Sequence, residues 1–126
     1  MAPIKSFKDL RVYQLSLQYL DELYEVAYSI PHLELRTQLI KSGEAISPLI
    51  AEGFSKQRNP KEASRFYEMA MAESDEVCVH LAKAIILSKR FSRISSDRCR
   101  NLSEKYTGLS KQLNKLSTTW RKFSNR

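Results

Sequence analysis

Apolar residues in the last part of the chain recur at alternating steps of four and three without a break. They are Leu102, Tyr106, Leu109, Leu113, Leu116, Trp120 and Phe123. This heptad spacing aligns apolar side chains along one face of a helix that packs against other helices. The sequence therefore predicts a helix from residue 95 or 96 to residue 123, with a seam that needs helical partners.

Three earlier segments also have helical periodicity. The first covers residues 6–29 and stops before a proline. The second covers 32–54 and contains Pro48, which we expect to kink it. The third covers 59–90 and opens with an Asn-Pro pair, which is typical of a helix N-cap followed by the first helical position.

The composition supports helices rather than strands. Only three Gly and four Pro interrupt 126 residues, too few for a many-turned β fold. A chain of this length fits one hydrophobic core. We predict an all-α fold, an antiparallel up-down-up-down four-helix bundle that forms a single domain over residues 1–126.

The first predicted helix carries two apolar stripes instead of one. We assign one stripe to the bundle core: Phe7, Leu10, Tyr13, Leu17, Leu20, Tyr24 and Ala27. The second stripe contains Val12, Leu15, Tyr19, Leu23 and Val26. A helix packed on one side only would leave this second stripe in water, so the helix contacts either two neighbours or another subunit. We predict that the second stripe forms the interface of a homo-oligomer.

The positive charge is concentrated in the last part of the chain. Residues 1–82 contain nine Lys or Arg against twelve Asp or Glu, whereas residues 83–126 contain twelve against two. Such a segment can neutralise phosphates. The predicted nucleic-acid-binding residues are Lys89, Arg90, Arg93, Arg98, Arg100 and Lys105. A surface that serves only solubility is the alternative, and the protein would then be a structural or protein-interaction bundle.

The sequence offers little for catalysis. Glu76 and His80 are four residues apart, which does not match the Glu-x-x-His spacing of di-iron bundles. Cys78 and Cys99 form no metal-ligand pattern, although Arg98 beside Cys99 could lower its pKa. No signal peptide or membrane-spanning stretch is evident. We expect a cytoplasmic protein that is not an enzyme, has no catalytic residue, cofactor or metal, and does not bind membranes.

Four motifs occur in order along the chain: residues 7–14 (FKDLRVYQ), Ile30-Pro31, residues 45–53 (AISPLIAEG) and residues 65–70 (RFYEMA). With these motifs the chain resembles, over about residues 7–116, the bacterial four-helix bundle proteins named for open reading frames in intervening sequences of 23S ribosomal RNA genes. Two positions depart from the family pattern. Leu49 stands where the family commonly has Asn, and Glu73 replaces the Gly of a Gly-Ser pair.

The resemblance carries expectations of its own. Members of this family are similar to the accessory variability protein of diversity-generating retroelements, a pentameric barrel of bundles that binds nucleic acid and a reverse transcriptase. The resemblance therefore implies a homopentamer without a catalytic site, which binds RNA or DNA and assists a reverse transcriptase. The two apolar stripes and the basic last helix fit a pentamer and would also fit a dimer.

Overall fold

The computed structural model describes residues 3–124, so both ends of the predicted 1–126 domain lie outside the described residues. The described part is helical and contains no strand. Its α-helices are α1 (Arg11–Gln18), α2 (Leu20–Ser29), α3 (Leu33–Ser55), α4 (Pro60–Leu87) and α5 (Ser96–Ser124). Backbone hydrogen bonds continue through Tyr19, from its N–H to Leu15 and from Leu23 to its carbonyl. α1 and α2 therefore serve as the first of four helical segments, and the all-helical prediction is confirmed.

The first segment begins later than its periodicity predicts. Ser6 caps a short 3₁₀ turn, Phe7–Asp9, and the Asp9 carboxylate accepts a hydrogen bond from the Ser6 N–H at 3.0 Å. Leu10 then takes an extended conformation and its side chain enters the core. The helix predicted to follow Ser6 therefore begins only at Arg11, because the capping box at Ser6 closes a separate turn first.

The other helix ends follow from local chemistry. Asn59 accepts a hydrogen bond from the Glu62 N–H at 3.4 Å, and Pro60 occupies the first position of α4, as predicted. α3 remains helical through Pro48. α4 ends at Leu87, slightly before the predicted end, because residues 88–90 form a turn.

In the contacts between neighbouring helices, rising residue numbers on one helix pair with falling residue numbers on the other. Between α4 and α5, Ser64 bonds to Ser117, and Ser74 Oγ donates to the Tyr106 carbonyl at 2.9 Å. This order is expected of antiparallel neighbours and is consistent with a helical bundle. Most of the α5 seam is buried, but it opens toward its C-terminal end, where Phe123 is exposed.

The structure corrects the predicted role of the second stripe on the first segment. Val12, Leu15, Leu23 and Val26 are buried inside the chain's own core, and Tyr19 is half-buried. They are not available to a neighbouring subunit in this structure, so the predicted interface set is corrected. The reason lies on α3, where a Cβ at Gly43 would lie 2.5 Å from Leu23 Cδ1, so the missing side chain admits Leu23.

The stripe that the sequence assigned to the core is only partly buried. Leu10 and Ala27 are buried, whereas Leu17 is 44% exposed. Tyr13 and Tyr24 are half-buried, and Tyr24 donates a hydrogen bond to Glu44 on α3 at 2.6 Å. The predicted core stripe thus supplies Leu10 and Ala27 to the core and leaves Leu17 exposed.

Candidate nucleic-acid interface

The α2–α3 and α4–α5 connections lie at the same end of the bundle. Arg93 Nη2 donates a hydrogen bond to the Tyr28 carbonyl at 3.4 Å. From α3, Arg36 donates to the Ile30 carbonyl through Nε at 3.1 Å and Nη2 at 2.9 Å. Both guanidinium groups thus bind carbonyls at the C-terminus of α2, where the helix dipole favours positive charge.

The α4–α5 connection, residues 88–95, is called the basic loop below. It holds Lys89, Arg90 and Arg93 and no acidic residue. Its backbone is folded by internal hydrogen bonds, including Arg90 N–H to the Leu87 carbonyl at 2.9 Å. Ile94, only 3% exposed, anchors the loop in the core. The loop therefore presents its cations from a fixed backbone.

The cations of the basic loop are not neutralised by carboxylates. Lys89 and Arg90 are exposed and form no ion pair within residues 3–124. Arg93 is also exposed, and it donates a hydrogen bond to the Tyr28 backbone carbonyl, which carries no formal charge. These three side chains can accept phosphate contacts without first giving up an acidic partner.

Two other predicted residues are paired with α2. Arg98 forms an ion pair with Glu25, and this hydrogen bond raises the pKa of Arg98. Lys105 Nζ lies 2.7 Å from Glu22 Oε2 and 5.9 Å from the centre of the Tyr19 ring. Both side chains therefore form ion pairs that link α5 to α2.

Arg100 lies on the other flank of α5. Its Nη1 is 3.3 Å from Asp97 Oδ1, and it lines a shallow groove that Ile85 and Lys111 also line. The structure thus divides the six predicted residues. Three lie in the basic loop, two face the acids of α2, and one lies toward α4.

Sequence reasoning missed two aromatic residues and one arginine at this end. Tyr28 and Phe91 are 60% and 40% exposed, and the Arg36 guanidinium lies 5.6 Å from the centre of the Tyr28 ring. Tyr28 in α2 and Arg36 in α3 flank the α2–α3 connection, and they come close to the basic loop only in the folded chain. The signal available in the sequence was topological, because an antiparallel bundle places the first and third connections at one end.

A second groove, between α3 and α4, has mixed charge. Its volume is about 620 Å³, and its lining includes Lys41, Glu73, Glu76, His80 and Lys83. Burial and the nearby Glu76 carboxylate raise the pKa of Glu73, whereas burial and Lys83 lower the pKa of His80. Glu73 forms no salt bridge with another residue that the structure describes. Nor does the described part contain a group of three or more His, Cys, Asp or Glu arranged to hold a metal ion.

The suggested activation of Cys99 is also corrected. The side chain is buried, and burial raises the pKa of its thiol. Arg98 and Arg100 oppose this effect but do not overcome it. Adjacency in sequence misled the prediction, because both guanidinium groups point toward carboxylates and solvent while the thiol points inward.

The fold and the surface define the class of protein: an all-helical bundle with a cationic loop at one end. The chain belongs to the family described as 23S rRNA-intervening sequence protein, whose model matches residues 8–115. This confirms the family resemblance seen in the motifs. Neither the curated proteins nor the solved structures gave a match. No helix within residues 3–124 has the length and hydropathy required to span a membrane.

Proposed function

We propose that this protein is a non-catalytic, oligomeric accessory protein that binds RNA or DNA through the basic loop. The observation that carries the proposal is the contrast between two groups of cations. Lys89, Arg90 and Arg93 have no acidic partner between residues 3 and 124, whereas Arg98 and Lys105 are paired with α2. The unpaired group is the one that a polyanion can engage at little cost.

Phosphate binding by such a loop has a definite physical character. Each Lys or Arg that approaches a phosphate releases condensed counterions, so affinity falls steeply as salt rises. The loop offers no pattern for reading base edges in a groove, so its affinity for duplexes should depend little on their sequence. These properties suit an accessory protein that holds a nucleic acid for another factor.

The direct experiment is fluorescence anisotropy with a labelled RNA at low salt. The test variant carries Lys89→Gln, Arg90→Gln and Arg93→Gln together. The matched control carries Lys56→Gln, Arg58→Gln and Lys61→Gln, three cations at the opposite end of α4. We expect the loop variant to lose about tenfold or more in affinity while the control loses much less.

Two outcomes would contradict the proposal. If both triple variants lose the same affinity, the basic loop has no special role. If the wild-type protein does not bind RNA or DNA even at low salt, the positive charge serves only solubility. The protein would then be the structural or protein-interaction bundle that the sequence left as the alternative.

We propose that self-association uses the exposed face of the first segment. Leu17 is 44% exposed there, and the half-buried Tyr13, Leu20 and Tyr24 belong to the same apolar stripe. The family resemblance supports a pentamer as the subunit number. Light scattering coupled to size exclusion would give the mass, which should be a multiple of 14.6 kDa and should fall with Leu17→Arg. A monomeric wild-type protein would contradict this part.

The remaining parts of the proposal concern the partner protein, the location and the topology. A reverse transcriptase of a diversity-generating retroelement as partner, and a cytoplasmic location, are supported by the family resemblance and the sequence alone. Co-purification with such an enzyme encoded nearby would test the partner.

The up-down-up-down topology is supported by the inverse order of contacts between neighbouring helices.

A further inference from the structure

Two aromatic rings are exposed beside the basic loop. Tyr28 lies in the last turn of α2, and Phe91 lies within the loop. The Phe91 N–H donates to the Leu87 carbonyl at 3.1 Å, and its own carbonyl accepts from the Ile94 N–H at 3.1 Å. The backbone that carries this ring is therefore held on both sides, and its side chain remains open to solvent.

Cations alternate with these rings. Phe91 follows Arg90 and precedes Arg93 in the chain, and Arg93 reaches the carbonyl of Tyr28. Arg36 covers part of the Tyr28 ring at 5.6 Å. Glu25 lines the same small groove as Arg93, but it is already paired with Arg98.

This combination favours one class of ligand. In a duplex the bases are stacked inside, so exposed rings find only phosphates and groove edges. In a single strand the bases are free to stack on aromatic side chains while nearby Lys and Arg contact the backbone. We propose, on the basis of the function proposed above, that this end of the bundle binds single-stranded RNA or DNA, with bases stacked on Tyr28 and Phe91.

A second copy of the chain is a poorer occupant of this surface. Two identical ends would bring Lys89, Arg90 and Arg93 toward the same cations of another copy, with no acid in either loop to compensate. Like charges at close range oppose such a contact, whereas a polyanion relieves them. The charge therefore distinguishes this end from the apolar face around Leu17.

The experiment compares an unstructured labelled oligouridine of about fifteen nucleotides, near the length of one binding site, with an RNA duplex of equal length. Tyr28→Ala and Phe91→Ala should each lower single-strand affinity about fivefold or more and leave duplex affinity nearly unchanged. Tyr28→Phe and Phe91→Tyr keep an aromatic ring at each position, so these variants should bind the single strand about as well as the wild type. Leu33→Ala, which removes an apolar side chain of similar exposure from the same end, is the matched control and should have little effect.

A second readout avoids any question about folding. In the Phe91→Trp variant, the fluorescence of the new indole should be quenched when oligouridine binds but not when the duplex binds. The emission of Trp120 should stay constant and serves as the reference. Equal effects of the aromatic variants on both ligands, or no effect on either, would overturn the single-strand inference and leave the proposed function standing. Absence of binding to both ligands by the wild-type protein would overturn both.

Discussion

Ser64 and Ser117 each donate a hydrogen bond to the other's backbone carbonyl across the α4–α5 contact. The two distances are 3.0 Å from Ser64 Oγ and 3.1 Å from Ser117 Oγ, and both residues are buried. Two small side chains allow the helices to approach closely, and the paired hydroxyl groups fix their relative position along the axis. This pair therefore helps to define the register of the two longest helices.

Removing one hydroxyl of this pair should destabilise the fold. We expect Ser64→Ala or Ser117→Ala to lower the free energy of unfolding by about 1 kcal/mol each. The double variant should lose less than the sum, because the two hydroxyl oxygens also lie 3.0 Å from each other and either single variant already removes this contact. Urea unfolding measures this, with Ser92→Ala in the exposed basic loop as the control. Fully additive losses would mean that the hydroxyl groups act independently.

Two glycines should respond to alanine in opposite directions. A Cβ at Gly53 would lie 2.7 Å from Cε1 of Tyr67, a fully buried ring, so Gly53→Ala should destabilise the protein by roughly 1–3 kcal/mol. A Cβ at Gly108 would meet nothing within 4 Å, so Gly108→Ala should stabilise it by up to about 1 kcal/mol. Thermal unfolding checks both. A loss of stability in Gly108→Ala would contradict this and would indicate that another helix approaches Gly108 closely.

The pKa of Glu73 should make stability depend on pH. Burial and the Glu76 carboxylate raise this pKa in the folded protein, so the folded state holds a proton that the unfolded chain has already lost. Stability contributed by Glu73 therefore falls as pH rises through the range between the unfolded and folded pKa values. Glu73→Gln should be more stable than the wild type at neutral pH.

The advantage of Glu73→Gln should shrink as pH falls below the ordinary range of a carboxyl group. Chemical denaturation at several pH values measures this. Glu104→Gln, at an exposed position on α5, controls for the loss of one negative charge from a basic protein. A constant difference between wild type and Glu73→Gln at every pH would exclude the raised pKa as its cause.

The two thiols should differ in reactivity. Cys78 is half-buried, with its Sγ 3.5 Å from the Ser103 carbonyl, whereas Cys99 is buried and its pKa is raised. A thiol reagent should modify Cys78 in the native protein and reach Cys99 only on unfolding. Cys78→Ala should abolish the native reaction. Rapid native labelling in that variant would show that Cys99 is accessible after all.

The seam of α5 could be predicted from sequence because its spacing depends on one helix alone. From Leu102 to Leu113 the predicted core residues are buried. The stripes of the first segment could not be ranked in this way, because both are apolar and the choice depends on what faces them. Gly43, on another helix, admits Leu23 and so selects the stripe that becomes the core.

The candidate interface was predictable to a similar extent. The charges of Lys89, Arg90 and Arg93 stand together in the sequence without acids, so the basic loop was found. The pairing of Arg98 with Glu25 was not, because seventy-three positions separate them. Tyr28 joins the same surface only through the packing of the two connections.

The salt dependence of RNA affinity tests the central claim most directly. Anisotropy titrations at several salt concentrations give the slope of log K against log salt for the wild type, for the triple variant of Lys89, Arg90 and Arg93, and for the control at Lys56, Arg58 and Lys61. Each phosphate contact contributes about −0.7 to −0.9 to this slope, so the loop variant should be shallower by roughly 2. The control should keep the wild-type slope. A loop variant whose slope equals that of the wild type would contradict phosphate binding by the basic loop.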